Sequence, residues 1–152
     1  MILLHIYGLD QFVVGDASKE LTKPIADLYE VEEDDVNFIA TNNMVFHKGV
    51  EQTSWHILVE VEAPFGNEDA QDQLVELINN ALGEVAINIE YIFKYYSIEN
   101  HKLMLNEDYP RYLSEDNMVI FEEQNLEDLV EGEEDDEIYT GDIFANIPDL
   151  DK

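Results

Sequence analysis

The chain has no cysteine. That excludes a disulfide, a thiolate nucleophile and any cysteine metal site, and it accords with a cytoplasmic protein. Bases are scarce: seven Lys and Arg face 36 Asp and Glu, for a formal net charge of −29. Phosphate binding needs clustered Lys and Arg, so neither nucleic acid nor an anionic membrane surface is an expected partner. No stretch approaches the roughly 20 apolar residues of a membrane span. No Lys or Arg precedes the apolar run in the opening MILLHIYGL, so it reads as a strand of the fold and not as a signal segment. A Walker loop, Gly-x-Gly-x-x-Gly and Gly-x-Ser-x-Gly are all missing. Paired acids occur at 32–35, 122–123 and 133–136, but none has the order of a calcium loop. No cofactor or resident metal is expected.

What is present is a repeated pattern. Residues 2 to 8 alternate, with Ile2, Leu4 and Ile6 on one face and Leu3, His5 and Tyr7 on the other. Leu21, Ile25, Leu28 and Tyr29 recur at helical spacing and predict a helix over 18–30, capped by Asp16 or Ser18. Pro24 lacks a backbone donor, so the helix is expected to start late or to bend there. Residues 36–49 read as a strand, a break at Asn42-Asn43, and a short strand through Met44, Val45 and Phe46.

The second half repeats that order. Trp55, Ile57, Val59 and Val61 share one strand face, and His56, Leu58, Glu60 and Glu62 share the other. Asn67 is the expected cap of a second helix with an apolar stripe of Ala70, Leu74, Leu77, Ile78 and Ala81. Gly83 sits where a left-handed cap belongs. Residues 85–96 form the last strand, rich in β-branched and aromatic residues. Two β-α-β units imply right-handed crossovers and parallel strands within each half. The fold class expected is α/β, an α+β two-layer sandwich of duplicated β-α-β units.

Residues 1–106 would form that domain, with 107–152 an acidic C-terminal extension. The extension holds 17 of the 36 acids. GEEDDE at 132–137 should be solvated. Apolar residues at 118–121 and from Leu126 to Ile147 suggest docking elements, and a disordered tail is the competing reading. A decoy for basic partners is one function such a tail allows.

The element order resembles the tautomerase superfamily, the fold of macrophage migration inhibitory factor and oxalocrotonate tautomerase. The chain looks most like an uncharacterised bacterial family of that superfamily, whose members open Met-Pro-x-Leu-Arg-Phe-Arg-Gly and continue with a Ser-Lys-Glu-Leu helix. Here the opening is MILLHIYG, SKEL falls at 18–21, and VNFIATNNMVF, WHILVEVEA and NEDAQDQLVELI follow. The resemblance implies a trimer. It also implies that an active member would carry Pro at position 2, whose secondary amine acts as base from an apolar pocket. This chain has Ile2, and Met before Ile is expected to be retained. The family's Arg positions fall on His5 and Tyr7.

The proline-dependent mechanism is therefore expected to be lost, and an interaction role is the leading reading. The alternative is a tautomerase-like enzyme for a small keto–enol compound, with Met1, His5 or Tyr7 as acid–base groups around a ligand near the N-terminus. His5 and His56 with Glu60 or Glu62 could ligate a metal, but isolated strand histidines are the commoner case. His47-Lys48 marks either a polar strand end or a small-molecule pocket. Tyr91, Tyr95 and Tyr96 either line a cavity or pack core and interface.

Overall fold

A computed structural model describes residues 1–41 and 43–114. The apolar runs and acidic run expected beyond residue 114, and the Asn42 half of the predicted break, lie outside the described residues. The chain divides into two units, Met1–Met104 and Leu105–Lys152. In the second, Tyr109 N donates to Asn106 O at 3.2 Å, and the Arg111 guanidinium lies 5.2 Å from the centre of the Tyr112 ring.

The first unit is a four-stranded sheet with two helices. Strand β1 (Ile2–Tyr7) leads into helix α1 (Gln11–Tyr29), then β2 (Val36–Ala40). A short hairpin, β3 (Phe46–His47) and β4 (Val50–Glu51), precedes β5 (His56–Pro64), α2 (Gln71–Leu82) and β6 (Asn88–Tyr96). The sheet order is β2-β1-β5-β6. Each half pairs its own strands in parallel, and β1 and β5 join the halves antiparallel. This is the duplicated β-α-β sandwich that the patterning predicts.

Period-two burial decides which face the helices cover. Ile2, Leu4 and Ile6 of β1 are fully enclosed, as are Ile57, Val59, Val61 and Ala63 of β5. They meet Val14, Leu21 and Ile25 of α1 and Leu74, Ile78 and Leu82 of α2 in one apolar cluster. Each fully buried aliphatic side chain contributes roughly 1.5–3 kcal/mol. The opposite face, with Leu3, His5 and Tyr7, carries no helix of this unit.

Several local expectations are corrected. Helix α1 begins at Gln11, not near residue 18, because Asp10 is its cap: the Asp10 carboxylate accepts from Phe12 N at 2.8 Å. Ser18 lies inside the helix and donates to Gly15 O. Pro24 is also interior, well past the first turn, and the helix runs on to Tyr29 around it. Trp55 lies before β5 on a turn and is 61% exposed, so it does not share the core face. Asn67 makes no side-chain cap; its amide donates to Pro64 O at 3.0 Å, and a 3-10 turn at Glu68–Ala70 precedes α2. Strand β6 begins at Asn88 and not at residue 85. Gly83 is right-handed (φ −64°), not left-handed. It must be glycine for another reason: a Cβ there would sit 2.6 Å from Asn79 O. Left-handed backbone ends α1 instead, at Glu30 (φ 52°).

Among the described residues, no helix is long and apolar enough to cross a membrane. One core polar group stands out. The Tyr29 hydroxyl is buried without a hydrogen-bond partner, and burial pushes its pKa up to about 12. Burial does the same to Tyr91, whose hydroxyl donates to Asn79 Oδ1 at 2.8 Å.

Both shifts favour the neutral phenol in the folded state. The stabilisation is complete below the ordinary tyrosine pKa near 10 and is lost as pH rises through about 12. Chemical unfolding measured across that window should show falling stability, with a shallower slope in Tyr29→Phe. At neutral pH the same substitution removes an unpaired buried hydroxyl and should raise stability by about 1 kcal/mol. A loss of stability at neutral pH would contradict the unpaired assignment.

Candidate functional site

The tautomerase resemblance draws attention first to residue 2. The Ile2 side chain is 0% exposed and belongs to the core cluster. The β1 register places Ile2 opposite Val36 on one side and Leu3 opposite Glu62 on the other. Met1 is tied down by its backbone: the Tyr96 hydroxyl donates to Met1 O at 2.6 Å. Tyr96 also faces the His101 ring, with centroids 6.3 Å apart. Burial, together with the negative charges of Asp35 and Glu62, raises the Tyr96 pKa.

The other expected residues come together on the helix-free face of the sheet. His5 and Tyr7 alternate with the core residues of β1, and their rings stack at 6.3 Å with planes 11° apart. Glu60 and Glu62 face them from β5. Diagonal neighbours across an antiparallel pair are within reach of long side chains. The Tyr7 hydroxyl thus donates to Glu60 Oε2 at 3.0 Å, and His5 Nε2 lies 3.8 Å from Glu62 Oε1. Lys94 of β6 completes the group at 2.9 Å from Glu60 Oε2.

Each charge in this network steadies the next. The Lys94 ammonium beside Glu60, helped by the Tyr7 hydroxyl, holds the Glu60 carboxyl below its usual range. The hydrogen bond to Glu60 in turn raises Lys94. Burial, then the bond to Glu60, raises the Tyr7 pKa. A tyrosine whose proton is directed at a carboxylate is a donor, not a base, at neutral pH. Lys94 stands out in the sequence only as one of five lysines before residue 107; its role depends on the parallel β5–β6 register, which composition does not reveal.

The histidines are kept apart. His5 lies near Glu62, whereas His56 lies at the other end of β5 with its Nε2 3.1 Å from Glu90 Oε2. Among the described residues, no group of three or more His, Cys, Asp or Glu is arranged to hold a metal ion. His47 lines a cleft beside β5, away from Met1. Tyr95 accepts from Gln71 Nε2 at 2.6 Å and, like Tyr91, packs against the core.

The family profile described as "Domain of unknown function (DUF1904)" matches residues 1–109. Among curated proteins none matches. Solved structures share the fold. A DUF1904 domain from Sebaldella termitidis superposes with a TM-score of 0.61 at 16% identity, over 68% of this chain and 95% of that one. A macrophage migration inhibitory factor-like protein from Entamoeba histolytica gives 0.53 at 13% identity, over 68% and 93%. A structure described as "R7 fused 4-OT wild type asymmetric trimer" gives 0.54 at 12% identity, over 66% and 91%. These likenesses establish a tautomerase-like α/β fold.

The network makes a pH prediction. A depressed folded-state carboxyl stabilises the protein above its ordinary pKa near 4.5, and that contribution is lost as pH falls through the folded value. In Lys94→Met the Glu60 carboxyl should titrate at higher pH by NMR, and acid should cost less stability than in the parent. An unchanged Glu60 titration would refute the coupling.

Proposed function

This chain belongs to the DUF1904 family, and from that premise we propose that it is a tautomerase-fold protein whose role is binding or interaction and not proline-dependent proton transfer. One observation carries the proposal: position 2 holds an aliphatic side chain sealed in the core. Isoleucine has no ring nitrogen to serve as a base. Further along β1, His5 lies near Glu62 and Tyr7 is committed as a donor to Glu60. The net charge of −29 also opposes capture of an anionic keto acid.

The same reading makes the protein a homotrimer of the cytoplasm. Its helix-free sheet face alternates charged groups with Leu3 and Leu58, half-buried, and Ile39 and Ile92, exposed. Such a mixed apolar surface suits a partner copy better than bulk water. A fused 4-OT relative of this fold is described as an asymmetric trimer. Residues 107–152 are the part of the chain proposed to reach further, basic partners.

A second reading keeps chemistry: a small keto–enol substrate near the N-terminus, with Met1, His5 or Tyr7 moving the proton. It is favoured by the Tyr96 hydroxyl fixing Met1 and by the His5–Tyr7 stack on the open face.

Ketonisation of phenylenolpyruvate separates the two. The binding reading expects no turnover above buffer. Turnover abolished by His5→Ala, with the variant still folded by circular dichroism, would establish the enzyme instead. Light scattering should give three times the chain mass of 17.6 kDa; a monomer would remove the trimer.

A further inference from the structure

At the end of the sheet opposite Met1, the β3–β4 hairpin stands over the start of β5 and β6. Gly8 allows that approach: it has φ +79°, and a Cβ there would lie 2.9 Å from Val45 Cγ2. The backbone ties the hairpin in place, with Gln52 N donating to Val45 O at 2.8 Å and Ser54 N to Gly8 O at 3.0 Å. Between hairpin and sheet is a cleft of about 420 Å³ lined by residues that include Phe46, His47, Gln52, Trp55, His56 and Asn88. That volume is in the range of small-molecule sites.

Several polar atoms of this cleft are unused acceptors. Asn88 spends its Nδ2 on Trp55 O at 3.1 Å, and Gln52 spends its Nε2 on Val50 O at 3.0 Å. Each amide keeps its carbonyl oxygen and one N–H. The His56 Nε2 meets Glu90 Oε2 at 3.1 Å. In the neutral tautomer that donates Nε2–H to this carboxylate, Nδ1 is an acceptor. Two large aromatic side chains complete the wall, Phe46 at 60% and Trp55 at 61% exposure. Rings that face solvent attract a cation through their quadrupole. Glu90 adds a formal negative charge behind His56, and the whole chain carries −29.

We propose that this cleft binds a small organic ammonium ion with an apolar or aromatic body. An ammonium offers three N–H donors to the amide oxygens and His56 Nδ1, and its body lies against Phe46 and Trp55. A carboxylate ligand finds no Lys or Arg on the wall and meets the negative charge of Glu90 behind His56. The site is independent of residue 2 and of the Tyr7–Glu60–Lys94 network.

Trp55 is the chain's single tryptophan, so its fluorescence reports on this cleft alone. Benzylamine and benzoate share a ring and carry opposite charges at pH 7.5. The full chain should give a saturable change in Trp55 emission with benzylamine and none with benzoate. Phe46→Ala and Glu90→Gln change exposed side chains and should each weaken benzylamine binding about threefold to tenfold. Lys94→Met, outside the cleft, should leave it unchanged. An equal response to benzoate, a response that never saturates, or indifference to both cleft substitutions would overturn the proposal. Two-dimensional NMR of the same titration should move the amides of 45–56 and 88–90, and shifts confined to other residues would overturn it equally.

Discussion

Strand β1 is hydrogen-bonded on both edges and has one face under two helices, and the remaining geometry follows from enclosing that face. Ile2, Leu4 and Ile6 reach the core only in one register, because a slip of one residue would present Leu3, His5 and Tyr7 to the helices instead. Burying an imidazole and a phenol among aliphatic side chains without partners would be costly. The alternation of apolar and polar residues therefore sets the registers of β2 and β5 together. It also sends position 2 inward, which is why an aliphatic residue suits it structurally and leaves no base there.

The opposite face inherits the polar half of the same alternation. Glu60 accepts from Tyr7 on one side and from Lys94 on the other, so three strands are linked through one carboxylate. In a chain with so few bases, that ion pair is placed where solvent screens it less than it does the exposed Lys19–Asp16 and Lys23–Asp27 pairs, since Glu60 is mostly covered. The few cations are thus not spread evenly in effect.

Much of this was legible from residue order alone, and the exceptions have physical causes. Alternation identified β1 and β5, and the helical stripe identified α2. The start of α1 escaped because Phe12 is exposed while Gly15 and Asp16 interrupt the apolar period, although Asp10 is an ordinary cap. Trp55 continues the alternation of β5 numerically, but periodicity does not mark where a strand stops and a turn begins. His5 and Tyr7 were recognisable as a pair on one face. Their partners depended on diagonal contacts across strands, and the His56–Glu90 pair on a parallel register between residues far apart in the chain. The cleft by the hairpin was suggested only by His47-Lys48; which of its polar atoms stay unused depends on the amide N–H groups that backbone carbonyls have already claimed.

The Tyr96 bond to Met1 has a consequence for connectivity. It brings the end of β6 back beside the first residue, across the width of β5. Strand pairing and core depend on neighbours in space and not on where the chain is cut. A circular permutant, joined from the end of β6 to Met1 by a short linker and opened at the exposed Lys48-Gly49 turn, would leave each strand of the four-stranded sheet whole. The linear order of the two halves is thus one of several threadings that this architecture admits.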